Sequence, residues 1–387
     1  MKVLRGVKVL DLGSFITAPY AAMLLADMGA DVVKVEKPGV GDPFRSFKGG
    51  LYSGPFQGHN RNKRSITLDL TMARGREVLD LLVTGADVLV VNNRPGVEEK
   101  LGIGAERLQK LNPRLVYCSI TGFGATGPYA QRPAYDTVGQ TLSGWLSMFH
   151  RGGDSRIAGP AVSDALSGMF ACMGLLGALL EREQTGIGRK VEVSMLEATV
   201  AAATEPMGNL SAGEAISFYS RGAASQAFIV TCKDGKRIGV HMSSPTKFWE
   251  GLARSINRED LLVKYPDRSA RVRHYDELAL ELERTFLAHD REYWLPLLEK
   301  YDVPFAPERH LSDLSEDPQV QHLGMLYEMI HPKLGKVTGA HRPIRYDGDN
   351  NSAFSPPPAL GEHTDEVLMQ AGLSAKEIEN LRVNGVI

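Results

Sequence analysis

The feature that most constrains the fold of this chain is a regular alternation of short apolar segments with longer amphipathic ones. Strand-like segments rich in β-branched residues occupy positions 6–12, 31–36, 65–70, 87–92 and 114–120. Helix-like segments lie between them at 19–30 and 72–86. Strands that alternate with helices of this length predict βαβ units joined into a parallel sheet. The segment 87–92, DVLVVN, is almost wholly apolar, as expected for a strand that is covered on both faces.

The pattern changes near residues 211–226, which predicts that a smaller domain begins there. Two strand-like segments within 227–242 flank a turn at 233–236, the arrangement of a β-hairpin. Charged amphipathic helices follow over roughly 245–300. From residue 303 onward, loops and short strands lead to a last helix.

Composition excludes several classes of protein. The chain has 44 Lys and Arg residues against 46 Asp and Glu residues, so no strongly basic surface favours nucleic acid. The three cysteines are far apart and odd in number, which indicates neither a disulfide framework nor a metal site. The first 13 residues lack the apolar core of a signal peptide. We therefore expect a cytoplasmic protein that binds neither nucleic acid nor a membrane.

Two common enzyme classes are disfavoured by their motifs. After the first strand, the chain reads GSFITAPYA at 13–21, with one glycine where a dinucleotide-binding turn needs three at fixed spacing. No GxSxG motif of a serine hydrolase is present. These absences disfavour a nicotinamide or flavin enzyme and a Ser/His/Asp hydrolase.

Asp164 stands directly before sixteen uncharged residues, 165–180, in a segment that predicts a buried helix. The run is shorter than the ~18 residues expected of a membrane span and contains three glycines. An Asp at this place could cap the helix, because its oxygen accepts free backbone N–H groups and the helix dipole favours an anion. A carboxylate that is fully ionised at neutral pH could equally act as a nucleophile, with backbone N–H groups stabilising the oxyanion. The residues alone leave both interpretations open.

A series of motifs along the whole chain resembles family III CoA-transferases, which include formyl-CoA transferase, carnitine CoA-transferase and 2-methylacyl-CoA racemase. The motifs include LDLGSFITAPYAAMLLADMGADVVKVEKPGVGD (10–42), NRNKRSITLDL (60–70), VNNRPGVEEKLG (91–102), SITGFGATGPYAQRPAYD (119–136), AGPAVSDALSGM (158–169), TGIGRKVEVSMLE (185–197), DPQVQHLGML (317–326) and PPPALGEHTDEVL (357–369). Each motif is weak alone, but their order and spacing are specific.

The resemblance implies a fold and an assembly. It implies an α/β chain with a large Rossmann-like CoA-binding domain over 1–215, a small α+β domain over 216–310 and a C-terminal segment, 311–387, that returns to the large domain. It further implies an interlocked homodimer, whose chains thread through one another. Acyl-CoA and a carboxylic acid are the substrates, with no permanently bound cofactor and no metal.

The resemblance also implies the reaction and its residues. Asp164 matches the family's catalytic aspartate, which attacks the acyl-CoA to give a mixed anhydride and then an aspartyl-CoA thioester. The positions that match the family's CoA contacts are Phe15, Ile16, Lys37, Leu68, Thr71, Asn92, Asn93, Arg94, Lys100, Tyr135 and Asp136. Among them, Lys37, Arg94 and Lys100 suit the phosphates of CoA.

The chain departs from formyl-CoA transferase at several places. That enzyme has Gln near Ile16 and Lys near Thr71 and Pro133, and the best match to its glycine-rich loop, 221–225, has one glycine. Formyl-CoA and oxalate are therefore doubtful substrates. We expect instead transfer from succinyl-CoA to a dicarboxylic or hydroxy acid, whose second carboxylate an arginine could hold. The candidates for that contact are Arg45, His59, Arg61, Arg151 and Arg156.

Two alternatives to transfer stay open. The racemases of the family place a His at the position of Tyr135 to remove the α-proton, and a tyrosine is a poor base at neutral pH. This difference favours transfer over racemisation. A binding protein that has lost the chemistry is the other alternative, and the intact Asp164 argues against it.

Overall fold

A six-stranded parallel sheet forms the centre of the larger of two compact units. The computed structural model describes residues 2–150, 153, 155–244, 246–348 and 353–387. The larger unit comprises Met1–Met207 and Gln321–Ile387, and the smaller comprises Gly208–Val320. The strands of the sheet are β1 (Lys8–Asp11), β2 (Asp31–Glu36), β3 (Lys63–Thr67), β4 (Val88–Val91), β5 (Val116–Thr121) and β6 (Lys190–Ser194).

The strand order is β3-β2-β1-β4-β5-β6, and every neighbouring pair is parallel. This is the order of the Rossmann fold, in which the chain reverses its direction of sheet growth between β1 and β4. The α/β class and the parallel sheet predicted from the alternating pattern are therefore confirmed. Ligands of such sheets bind in the crevice beyond the carboxyl ends of the strands at that reversal.

Helices cover both faces of the sheet. The helices of the first half of the larger unit are α1 (Thr17–Asp27), α2 (Gly54–Gln57), α3 (Ala73–Thr84), α4 (Val97–Leu101), α5 (Ala105–Leu111), α6 (Asp136–Leu142), α7 (Val162–Thr185) and α8 (Met195–Ala202). The next helix, α9 (Thr204–Ser211), includes the boundary between Met207 and Gly208. One apolar cluster joins α1 and α7 to the sheet through residues such as Leu25 and Leu175. The other joins α3 and α5 to the opposite face through Leu79 and Leu108. Burial on both faces explains why the strands read as apolar runs.

The smaller unit has a three-stranded antiparallel sheet with its own apolar core. Its strands are β7 (Ala227–Thr231), β8 (Arg237–His241) and β9 (Phe305–Pro307), and β7 and β8 form the predicted hairpin. Its helices are α10 (Ser220–Ser225), α11 (Lys247–Ser255), α12 (Asp260–Lys264), α13 (Arg268–Arg273), α14 (Tyr275–Phe286) and α15 (Arg291–Lys300). Trp249, Phe286 and Trp294 are the large side chains of this core.

The C-terminal part of the chain packs into the larger unit. Its elements are α16 (Pro318–Leu323), a hairpin of β10 (Leu326–His331) and β11 (Gly335–Ala340), α17 (Thr364–Gln370) and α18 (Ala375–Val383). Ser374 and Glu377 form a capping box at the start of α18. Val367 and Ile378 are buried in the same cluster as α3 and α5, so the last helices complete that face of the sheet.

Helix α7 is long and apolar enough to cross a membrane by length and composition, although 44% of its most apolar window is buried inside the protein. Such a helix is a weak indication of a membrane span, because the core helix of a soluble protein passes the same test. Its buried side carries Ala171 and Leu175 against the sheet. Its other side exposes Met173 by 55% and Leu180 by 68%.

Candidate active site

A cavity of about 420 Å³ lies beyond the carboxyl ends of β1, β4 and β5, at the reversal of the strand order. Its wall is built from the loop after β1, the loop after β4, the end of β5, the segment before α6 and the first turns of α7 and α8. The predicted site residues that the fold brings together here are Phe15, Ile16, Asn92, Asn93, Arg94, Tyr135 and Asp164. They come from four segments, so only the tertiary fold places them side by side.

Asn92 ties the two loops at the reversal together. Its Nδ2 donates to the carbonyl of Ser14 (2.7 Å) and to Thr17 Oγ1 (2.9 Å), while its Oδ1 accepts from the backbone N–H of Ser14 (2.9 Å). The side-chain amide is thus used within the protein. Asn92 therefore shapes the cavity wall by fixing the loop that carries Phe15.

Phe15 adopts a left-handed backbone conformation, with φ of 61°, which is uncommon for a bulky residue. Its backbone N–H donates to Asp42 Oδ1 (3.1 Å), and its ring packs edge-on against Phe44 and Tyr135. Strained backbone of this kind persists where the surroundings determine it, and such positions are frequent in functional sites. The contacts hold the Phe15 ring at the cavity edge beside Tyr135.

A buried network of charged side chains stabilises the loop after β1, which carries Gly13 and Phe15. Lys34 Nζ donates to the carbonyl of Gly13 (2.8 Å) and pairs with Asp42 (2.9 Å), and Asp11 Oδ1 accepts from the Gly13 N–H (2.9 Å). Burial alone would raise the pKa of Asp11, but Lys34 and Lys63 hold it below its ordinary value. Burial lowers the pKa of Lys63 to about 8 against the attraction of Asp11. Charged side chains without exposure are stable only when paired in this way.

The structure corrects the capping interpretation of Asp164. Helix α7 begins after Ala161, which has no side-chain cap, and Asp164 is the third residue of the helix. The backbone N–H groups of Ser163 and Asp164 donate instead to Asp136 Oδ1, at 2.8 and 3.3 Å. Asp136 is therefore the residue that caps α7, because tertiary packing brings the start of α6 against the start of α7.

The ionisation of Asp164 also differs from the expectation. Burial, and secondly the negative charge of Asp136, raise the pKa of Asp164 from 3.8 to about 7. The expectation of a fully ionised carboxylate at neutral pH was wrong, because it assumed a solvated side chain. A raised pKa makes the ionised form more basic and more nucleophilic, and perturbed carboxyl groups in clefts are frequently functional.

The chemical character of the cavity is defined by few groups. Of the described residues that line it, Asp164 is the only carboxylate, and none is a Cys, His or Lys. Arg94 and Arg132 supply the positive charges, and the Arg132 guanidinium lies 3.9 Å from the ring centroid of Tyr129. Among the described residues, no group of three or more His, Cys, Asp or Glu side chains could hold a metal ion. The arrangement suits nucleophilic attack by one carboxylate beside an anionic ligand.

Five predicted site residues do not line this cavity: Lys37, Leu68, Thr71, Lys100 and Asp136. Lys37 and Lys100 are exposed, as expected of side chains that could reach a phosphate. The side chain of Leu68 is buried in the core, and Thr71 is held by Asp69, whose Oδ1 accepts from its N–H and its hydroxyl.

The candidates for the acceptor contact are mostly engaged elsewhere. Arg45 is buried and pairs with both oxygens of Glu36, and Arg61 is buried against Asp27. Both expectations were wrong, because these guanidinium groups already bind carboxylates of the protein. His59 is partly buried, and its Nδ1 lies 2.9 Å from the carbonyl of Pro55.

The remaining candidates lie near α7 in sequence. Arg156 is exposed, and Arg151 lies outside the described residues. The segment 221–225 is the best match to the glycine-rich loop of formyl-CoA transferase. It is not a loop here, because it forms most of α10 in the smaller unit.

Sequence reasoning missed Thr17 and Arg132 in the cavity and the capping role of Asp136. Arg132 could have been found from the sequence. It is a basic residue directly beside Pro133, the position near which formyl-CoA transferase has a lysine. Thr17 gave no signal, since a threonine at the start of a helix has many other uses.

Comparisons with known proteins agree with this architecture. The model of CoA-transferase family III matches residues 4–364. Succinyl-CoA:glutarate CoA-transferase of Mus musculus is 34% identical over 100% of this chain and 91% of its own length. Formyl-CoA:oxalate CoA-transferase of Rhodopseudomonas palustris (strain BisA53) is 32% identical over 100% of this chain and 97% of its own length.

Solved structures show the same fold. A CAIB/BAIF family protein from Brucella suis superposes with a TM-score of 0.82 at 29% identity, covering 95% of this chain and 99% of that one. A Mycobacterium tuberculosis protein gives a TM-score of 0.82 at 29% identity, with 94% and 98% covered. The family model spans nearly the whole chain, and the curated relatives transfer CoA between acids. The chain therefore belongs to CoA-transferase family III and is an enzyme that moves CoA from an acyl-CoA to a carboxylate.

Proposed function

We propose that Asp164 is the nucleophile of the transfer and carries the acyl and CoA groups in turn. One observation supports this most strongly: it is the only carboxylate among the described residues of the cavity, and no Cys, His or Lys competes with it. A hydroxyl group nearby, such as that of Thr17 or Thr121, would need a base to activate it. A carboxylate needs none.

The proposed steps balance without a cofactor. An Asp164 oxygen attacks the thioester carbonyl, the C–S bond breaks, and CoA leaves as the thiolate with its electron pair. The thiolate attacks the carboxyl carbon of Asp164, which releases the donor acid and leaves an aspartyl-CoA thioester. The acceptor carboxylate reverses these two steps and departs as the new CoA ester, so Asp164 returns as a carboxylate.

The CoA would lie along the loops at the strand reversal. We expect Phe15, Ile16, Asn93 and Tyr135 to contact it through the cavity wall, with Asn92 holding that wall in place. Its phosphates need cations, which we expect Lys37, Arg94 and Lys100 to supply. At 68–71 only backbone and Thr71 could contribute, because the Leu68 side chain is in the core.

We further propose succinyl-CoA as the donor and a dicarboxylic or hydroxy acid as the acceptor. Relatives from Mus musculus and Homo sapiens, 34% and 32% identical, are named succinyl-CoA:glutarate CoA-transferases. With Arg45 and Arg61 engaged inside the protein and Arg94 assigned to the phosphates, Arg132 is the basic residue of the described cavity lining that could hold a second carboxylate. A mass-spectrometric screen of donors against acids tests this, and equal rates with monocarboxylates would contradict it.

Covalent trapping tests the nucleophile. Hydroxylamine or borohydride added with acyl-CoA should modify Asp164, as read by peptide mass spectrometry, and Asp164→Asn should abolish both modification and transfer. Asp80→Asn, which changes a half-buried carboxylate of α3 paired with Arg107, is the matched control and should keep full activity. Transfer that survives in Asp164→Asn would overturn the proposal.

The same samples separate transfer from racemisation. A racemase exchanges the α-proton of a 2-methylacyl-CoA with deuterated water and needs no acceptor acid. Tyr135 is 61% exposed at the cavity edge, at the position where the racemases have the His that removes the α-proton. We expect no exchange in the absence of an acceptor; exchange without CoA transfer would establish the racemase instead.

We propose that a second copy of the chain covers the exposed face of α7, in the interlocked homodimer expected from the family resemblance. The apolar residues exposed along this face are Met169, Met173 and Leu180, at 39%, 55% and 68%. A row of exposed apolar side chains on one helix is typical of an interface. Light scattering in buffer should give twice the mass of 42.2 kDa without detergent, as also expected of a cytoplasmic enzyme.

A further inference from the structure

Asp136 lies where two helices begin. It is the first residue of α6, and its side chain reaches the first turn of α7. Its Oδ1 accepts from the backbone N–H groups of Ser163 and Asp164, and its Oδ2 accepts from Gln140 Nε2 at 2.6 Å. Both oxygens are therefore engaged inside the protein, which fixes the carboxylate in place.

The amides held by Asp136 are those that a carboxylate on the first turn of α7 would otherwise use. Free N–H groups at a helix start favour the ionised form of a nearby acid. Asp136 occupies two of these groups and adds a negative charge beside the nucleophile. Tight packing keeps α6 in this place, because a Cβ on Gly139 would collide with Ser163 Oγ. Ser163 is itself fixed by Thr199, whose hydroxyl lies 2.7 Å away.

We propose, on the basis of the function proposed above, that Asp136 is a positioning residue that caps α7 in place of Asp164 and keeps the nucleophile poorly stabilised as an anion. An Asp164 that is denied the helix amides stays basic and free to form a bond with the thioester carbon. Asp136 then takes no part in the bond changes and acts only through Asp164. This differs from a direct contact with CoA, the role first expected for it.

The other ionisable groups near Asp164 do not account for its raised pKa. Those that share the cavity or lie on helices packed against α7 include Arg94, Arg132, Tyr135, Tyr20, Asp27 and Glu197. Asp27 is paired with Arg61. Burial and Asp136 are the two causes of its raised pKa. The carboxylate of Glu197 is engaged at its own helix start by Ser194.

Asp136→Asn tests the proposal, because an amide oxygen can keep the two backbone hydrogen bonds while the charge is lost. The acidic limb of the pH profile of kcat/KM should move to lower pH by about one unit. The rate above pH 8 should fall, since a less basic carboxylate is a weaker nucleophile. Asp136→Ser, a second neutral cap, should shift the limb in the same direction.

Gln140→Met is the matched control. It removes the third hydrogen bond of Asp136 but keeps its charge, so it should leave the position of the limb unchanged even if the protein is less stable. An unchanged limb in both neutral Asp136 variants overturns the inference, as does the same shift in Gln140→Met. A failure of the proposed function would give a different result, because transfer and trapping would then survive in Asp164→Asn.

Discussion

Asp164→Asn should stabilise the folded protein while it abolishes turnover. The ordinary pKa of an aspartate is 3.8, and burial followed by the charge of Asp136 raises that of Asp164 to about 7. The folded state therefore holds a proton that the unfolded state has lost, so folding stability falls as pH rises through this interval. At about 1.4 kcal/mol per pH unit, the interval corresponds to at most about 4 kcal/mol. Asparagine has nearly the same shape and never ionises.

Urea unfolding of wild type and Asp164→Asn at several pH values measures this difference. The variant should gain almost nothing near pH 3.5, about 2 kcal/mol at pH 5 and about 4 kcal/mol at pH 8, levelling off above pH 7. A difference between wild type and Asp164→Asn that stays constant from pH 4 to pH 8 would refute the argument, because it would mean that Asp164 ionises normally. A strained active site that lowers stability is a common cost of function.

Three further predictions concern the rate and the packing around the site. In the proposed mechanism ionised Asp164 is the reactive form, so kcat/KM of the wild type should rise about tenfold from pH 6 to pH 8, measured from the CoA esters formed; a flat profile contradicts this. Gly139→Ala should cost about 1–3 kcal/mol in urea unfolding and lower kcat, because the new methyl group collides with Ser163; unchanged values would show that α6 can move freely. Arg45→Met should cost about 3–5 kcal/mol, since it leaves buried Glu36 unpaired, and adding Glu36→Gln should recover part of the loss.

The sequence predicted the larger architecture because the signals for it are local. Apolar segments such as 87–92 and amphipathic segments such as 72–86 are set by the period of neighbouring residues, and they appear as β4 and α3. Parallel pairing then follows from the alternation of strands and helices, since a helical crossover returns the chain in the same direction. The KDGK turn placed the hairpin of β7 and β8 by the same local logic.

The sequence also identified Asp164 as the residue of interest, through its place before a long apolar run and through the family motifs. The sequence could not predict which residues pack against Asp164 or pair with the neighbouring charged side chains. The acid that caps α7 is Asp136, 28 positions away, and Arg45 and Arg61 are committed to Glu36 and Asp27. Contacts across such distances depend on packing, and packing sets both the burial and the neighbouring charge that raise the pKa of Asp164. The sequence alone therefore determined the sheet and singled out Asp164 as the proposed nucleophile, whereas the tertiary structure decided how that carboxyl group ionises, because its burial and its charged neighbour arise only from packing.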